Sequence, residues 1–141
     1  MAMTFEEAFA HQIKMQVEVF GDGTLLQDYD DERRTQFIKD NIIAALDELH
    51  EALGEVGWKP WATSRHLNRE LFKGELVDVL HFFFNLMGIA DITPEELLAG
   101  YEAKAERNKA RQAAGYDGIT GKDPVTKRAL DDIDAYGTPE V

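Results

Sequence analysis

Apolar residues recur about every fourth position through most of the first 116 residues, and that spacing predicts helices. Phe5, Phe9, Ile13 and Val17 trace one face, and Thr4 with Glu7 three residues on has the form of a capping box. A first helix should therefore open at Thr4 and end at Gly21-Asp22-Gly23. A second should start between Asp30 and Arg34, carry Phe37, Ile38, Ile42, Leu46, Leu49 and Leu53, and stop around Gly54 to Gly57. Gly and Pro punctuate Gly57-Trp58-Lys59-Pro60-Trp61, which reads as loop. A third helix should run from Ser64 or Leu67 to Ile89, with Gly74 as its weak point. Leu76, Val77, Val79, Leu80 and Phe82 to Phe84 make it apolar around most of its circumference, which predicts burial. Thr93-Pro94-Glu95-Glu96 puts a capping hydroxyl, a proline and two acids where a helix begins. That fourth helix should pass through Leu97, Leu98, Tyr101 and Ala105 to Ala113, with Gly115 as its stop. No stretch shows the alternation of a strand. The prediction is an all-α bundle of four main helices over residues 1–116. Residues 117–141, rich in Gly, Pro, Asp and Thr, form a tail, irregular or docked on a partner, with one short helical piece at Thr126 to Ile133.

Four acids break the apolar helices in a regular way. Glu48 and Glu51 lie three apart in the second helix, and Glu75 and Asp78 three apart in the third. Residues at that spacing share a helix face, where like charges repel unless a cation or a proton lies between them. A solvated acidic face is the plain alternative. The apolar frame of both pairs weighs against it, because ionised carboxylates are rarely buried without a partner. Two such helices facing one another would build an oxygen-rich cage suited to Mg²⁺ or Mn²⁺, whose remaining positions water and phosphate could fill.

Composition narrows the function. The chain has 141 residues, enough for one domain, and a net charge of −12, with 15 Lys and Arg among 27 Asp and Glu. No basic stripe is present for a nucleic-acid backbone, although a divalent ion could still bridge these acids to nucleotide phosphates. Cysteine is absent, which excludes disulfides and thiolate metal sites. No apolar run is long enough to span a membrane, and Met1 to Glu7 lacks the form of a signal peptide, so a cytoplasmic protein is expected.

The flanking residues complete a recognisable order: Glu48-x-x-Glu51, Gly57-Trp58-Lys59-x-Trp61, Glu75-Leu76-Val77-Asp78-x-x-His81-Phe82, then Tyr101-x-x-Lys104-x-x-x-Asn108-x-x-Arg111-Gln112-x-x-Gly115-Tyr116. Over residues 8 to 116 this set resembles the dimeric, all-α dUTP diphosphatase family, within the MazG-like nucleoside triphosphate pyrophosphohydrolases. The resemblance implies that Glu48, Glu51, Glu75 and Asp78 hold two or three Mg²⁺ ions, with Mn²⁺ able to substitute. It also implies that an acid of the first pair, Glu48 being favoured over Glu51, activates water for cleavage between the α and β phosphates. The products would be dUMP and pyrophosphate.

Further site residues follow from the same resemblance. Lys104, Asn108 and Arg111 fall on one helical face, bordered by Gln112 and followed by Tyr116, and with Lys59 they are the expected phosphate contacts. A solvated face paired with Glu102 and Glu106 is the alternative. Trp58 and Trp61 either line the substrate or cap the bundle end. Asn85, seven residues after Asp78, and Gln12 or Gln16 are candidates for reading a base edge through their amides. His81 orients a ligand carboxylate, packs beneath the base, or is simply a histidine at the core edge. The chain lacks the extra helices of larger family members, so a complete pocket would borrow residues from a second subunit, with helix one and Phe82 to Phe84 as the interface. Rival readings keep the chemistry and change the base to dGTP or dCTP, or abandon catalysis for a helical dimer that senses nucleotide or metal.

Overall fold

In the computed structural model, which describes residues 1–19, 28–126, 128 and 130, four helices carry the chain: α1 Phe5–Glu18, α2 Asp31–Gly54, α3 Arg69–Ile89 and α4 Pro94–Ala113. No strand occurs among the described residues, and the fold is all-α as expected. The capping box is formed in full. Thr4 Oγ1 accepts from the Glu7 backbone at 3.1 Å, and Glu7 Oε2 accepts from the Thr4 backbone at 2.8 Å. Asp30 caps α2 through the Arg33 amide at 2.8 Å, and Thr93 caps α4 through the Glu96 amide at 3.1 Å, with Pro94 at the first helical position. Gly115, at φ +85°, takes the left-handed conformation that ends α4. The expected end of α1 at Gly21 to Gly23 lies outside the described residues, as does most of the short piece at 126–133.

Helix α3 starts later than its apolar pattern suggested. Asn68 precedes it without a side-chain cap, because its amide is turned to Glu55 Oε2 at 2.8 Å and closes the loop instead. That loop, residues 55–68, is pinned at its base by a bridge between Val56 and Leu67 and by the Gly57 amide donating to His66 O at 2.8 Å.

The chain divides into two compact units, Met1–Leu97 and Leu98–Val141, the division falling inside α4. In the first unit α3 packs along α2 and meets α1. Phe84 is 2% exposed and sits between the rings of Phe5 and Phe9, at 5.1 and 5.8 Å between centroids. Tyr29 and Ile89 form the core with Ile13, Phe37 and Ile38 packed against them. In the second unit, Asp117 accepts from the amides of Ile119 and Thr120 and from the Thr120 hydroxyl, and Asp123 holds Val125 and Thr126 in the same way.

Burial departs from expectation on α3. Only its C-terminal part, with Phe84, Asn85, Met87 and Ile89, is buried, whereas Leu76, Val77, Leu80 and Phe83 are exposed. The apolar stripe of α2 is also exposed, at Ile42, Ile43, Leu46, Leu49 and Leu53. What α2 turns inward is Asn41, Ala45, Glu48 and Ala52, spaced i, i+4, i+7 and i+11 on one face. The α2 side of the α2–α3 seam therefore alternates polar side chains with alanine, where an isolated hairpin would bury its leucines. Phe84, expected at a subunit interface, is instead used up inside the subunit by α1.

Candidate functional site

Asn41 pairs with Asn85, and Glu48 with Glu75, so α2 and α3 run antiparallel and bring their polar faces together. The α2 acids and the α3 acids, from segments 24 residues apart (75 − 51), thereby come to one place. One carboxylate oxygen from each of Glu48, Glu51 and Glu75 lies within 4.8 Å of the other two. Oxygens around an octahedral Mg²⁺ at about 2.1 Å stand about 3 to 4 Å apart, so a small closure of these side chains would complete three ligand positions. The donor set is all oxygen and fits such an ion.

Electrostatics point the same way. Glu51 is held above the usual carboxylate range, first by the charge of Glu75, then by burial, Asp47, a carboxyl hydrogen bond to Glu75, and Asp78. Glu75 is raised first by burial, then by hydrogen bonding to and repulsion from Glu48 and by Asp78. Without a cation, this cluster retains protons that an isolated glutamate would lose. Asp78 is not among the three converging acids. It lies on the same face of α3, half-buried, with His81 Nδ1 3.6 Å from its Oδ1.

One to three turns along the seam from the acids is a cleft of about 620 Å³, lined by Gln12, Gln16, Asn41, His81, Phe82 and Asn85 among others. The amide candidates thus do meet, but Asn85 is 3% exposed and already committed. Its Oδ1 accepts from Gln12 Nε2 at 3.1 Å, and its Nδ2 donates to Gln16 Oε1 at 3.0 Å and to Asn41 Oδ1 at 2.9 Å. Asn85 therefore supports the cleft wall, and the sequence reading had not included Asn41. Its signal was present: Asn41 lies seven residues before Glu48, on the same face of α2.

The tryptophan loop forms a separate group. Trp58 and Trp61 pack edge to face at 5.9 Å, and Trp61 is 76% exposed. Arg65 braces the loop by donating to Ala62 O and Ser64 O, both at 2.7 Å, and to Lys59 O at 3.2 Å. Gly57 approaches this backbone so closely that a Cβ there would lie 2.5 Å from Ser64 O. In the second unit, Arg111 Nη1 donates to Asn108 Oδ1 at 2.9 Å on the exposed face that also carries Lys104 and Gln112, and Lys122 Nζ lies 5.6 Å over the Tyr116 ring.

A family model described as dUTPase matches residues 5–90. The match takes in every acid, the tryptophan loop and the amide cleft, and ends before α4. Neither the curated proteins nor the solved structures gave a significant match.

Proposed function

Given that this chain belongs to the all-α dUTPase family, we propose that it hydrolyses dUTP between the α and β phosphates, giving dUMP and pyrophosphate. The carrying observation is the convergence of Glu48, Glu51 and Glu75 at one end of a polar seam whose other end is an amide-lined cleft. Seven helical residues separate Asn41 from Glu48, about 10 Å along the axis, a span comparable with a nucleoside 5′-phosphate. The base and sugar would lie against Gln12, Gln16, His81 and Asn85, while Trp58 and Trp61, in the loop that follows α2 beyond the acids, are aromatic candidates for the opposite end of the substrate. The phosphates would reach the acids.

Glu48, Glu51, Glu75 and Asp78 would hold Mg²⁺, two or three ions, with Mn²⁺ as a substitute. Bound divalent ions supply polarisation of the α-phosphorus, an acidified water and charge neutralisation on the leaving pyrophosphate. Glu48, the half-buried acid hydrogen-bonded to Glu75, orients the attacking water and takes its proton. Within the first unit, Lys59 is the cation offered to the phosphates.

The active form is a homodimer in this reading. Exposed Ile42, Ile43, Leu46, Leu49 and Leu53 on α2, with Leu76, Val77, Leu80 and Phe83 on α3, form apolar surface that a monomer rarely leaves in water. A second copy of the chain is the cover this reading assigns to that surface.

Pyrophosphate release from a panel of deoxynucleoside triphosphates and diphosphates, with Mg²⁺, Mn²⁺ or chelator, tests the proposal. Metal-dependent cleavage concentrated on dUTP supports it. Preference for dCTP or dGTP would keep the chemistry and reassign the cleft, and no cleavage at all would favour a nucleotide or metal sensor.

A further inference from the structure

The amides lining the cleft have their directions set by a single backbone group. Phe37 O can only accept, so Asn41 must turn Nδ2 toward it, at 2.8 Å. Asn41 Oδ1 is then the end left to receive Asn85 Nδ2, at 2.9 Å. Asn85 spends its other Nδ2 hydrogen on Gln16 Oε1 and turns Oδ1 to Gln12, whose Nε2 donates at 3.1 Å. Each amide has one donor end and one acceptor end, so every step fixes the next. The relay stops at Gln12 Oε1, a buried acceptor with no hydrogen-bond partner among the described residues. Gln12 is 4% exposed and lines the cleft. A buried acceptor without a donor is unfavourable, and because Gln12 is a lining residue of the cleft, a donor brought there by a ligand would relieve it.

We propose that Asn41 is a positioning residue that sets base specificity: anchored on Phe37 O, it holds Gln12 as an acceptor at the cleft wall, so the base that completes the network brings a ring N–H. Uracil has that hydrogen on N3. Cytosine has a lone pair there, and acceptor would face acceptor. The inference rests on the cleft being the base site. It goes beyond that reading by giving the discrimination to a residue that need not touch the base. Without Asn41, the Asn85 amide can turn over, donating to Gln12 Oε1 and accepting from Gln16, and the preference for a ring donor is lost.

The test measures kcat and KM on dUTP, dCTP and N3-methyl-dUTP for the native chain, Asn41→Ala and Asn41→Ser. The native chain should favour dUTP over both analogues by about 100-fold or more in kcat/KM. Asn41→Ala should reduce the preference for dUTP over dCTP in kcat/KM by at least about tenfold, the change falling on KM. Serine can donate to Phe37 O and accept from Asn85, so Asn41→Ser should recover much of the preference. An equal loss on dUTP and dCTP in Asn41→Ala would make Asn41 merely structural and overturn the proposal. So would native cleavage of N3-methyl-dUTP as fast as dUTP, a result independent of whether any variant folds. If the native chain cleaves no nucleotide, the assignment of the site itself fails, which is a different outcome.

Discussion

Replacing Phe84 with alanine should loosen the docking of α1 on α3. The side chain is 2% exposed and meets the rings of Phe5 and Phe9 at 5.1 and 5.8 Å. Truncating a buried phenylalanine costs about 3–5 kcal/mol in lost burial and residual cavity. Aromatic pairs at these separations contribute about 0.5–1.5 kcal/mol beyond area. Because α1 can settle partly into the gap, the middle of the range, about 4 kcal/mol, is the expected loss. For a chain of this size that is about 12–16 °C in Tm. Urea unfolding followed by far-ultraviolet circular dichroism, with Trp61→Ala as the comparison, would measure it. Trp61 is 76% exposed and touches Trp58 edge to face, so its loss should change stability by no more than about 1 kcal/mol. A Phe84→Ala loss below about 1.5 kcal/mol at an unchanged m value would mean that α1 is not held by this cluster. Asn85 follows Phe84 directly and bonds Gln12 and Gln16 on α1, so base discrimination should deteriorate in this variant at temperatures where the chain is still helical.

Three further outcomes are expected. Glu51→Gln or Glu75→Gln should abolish turnover while keeping the helical spectrum. Both carboxyls are raised above 4.5 in the folded chain, so in chelator they oppose folding increasingly as pH rises past that value, and either glutamine variant should flatten this decline in Tm. A native Tm in chelator that rises over the same pH range would contradict the repulsion. Gly57→Ala must push a Cβ into the Ser64 to His66 backbone, which nothing flexible can relieve, so nucleotide cleavage should fall at least about tenfold as the Trp58–Lys59 loop shifts, and unchanged kinetics would separate the loop from the site. Asp117 is lowered to about 2 by the Thr120 hydroxyl and the Ile119 and Thr120 amides; its contribution, full above 3.8 and lost as pH falls through about 2, should vanish in Asp117→Asn, seen as reduced acid sensitivity of amide exchange at Ile119 and Thr120.

The polar pairs that α2 and α3 bring together, Asn41 with Asn85 and Glu48 with Glu75, bear on the proposed function. A seam of leucines would be more stable in a lone chain, whereas this seam places Asn41, Glu48, Glu75 and Asn85 where a nucleotide and divalent ions would complete them. Stability of the apo chain should therefore be linked to ligand, rising with nucleotide and divalent ion together.

Local rules sufficed for the helices and for placing each pair of acids on one helix face. Capping at Thr4, Asp30 and Thr93, the proline at position 94 and the left-handed Gly115 are matters of a few neighbouring residues, and a sequence states them directly. The i, i+3 spacing of the acids likewise assigned each pair to one face before any packing was known. What depends on packing was hidden. Periodicity says that α2 and α3 each have an apolar side, not that both turn it away from each other, and burial of α3 was therefore overestimated. Nor could spacing show that Asn68 closes a loop rather than capping α3, or that Phe84 is consumed by α1. The amide relay joins residues 73 apart at Gln12 and Asn85 and 44 apart at Asn41 and Asn85, and its polarity comes from one carbonyl on a neighbouring turn. The residue types were written in the chain; which of them would share a hydrogen bond was decided only when three helices closed on one another, because a hydrogen bond requires atoms within about 3 Å and sequence distance carries no such information.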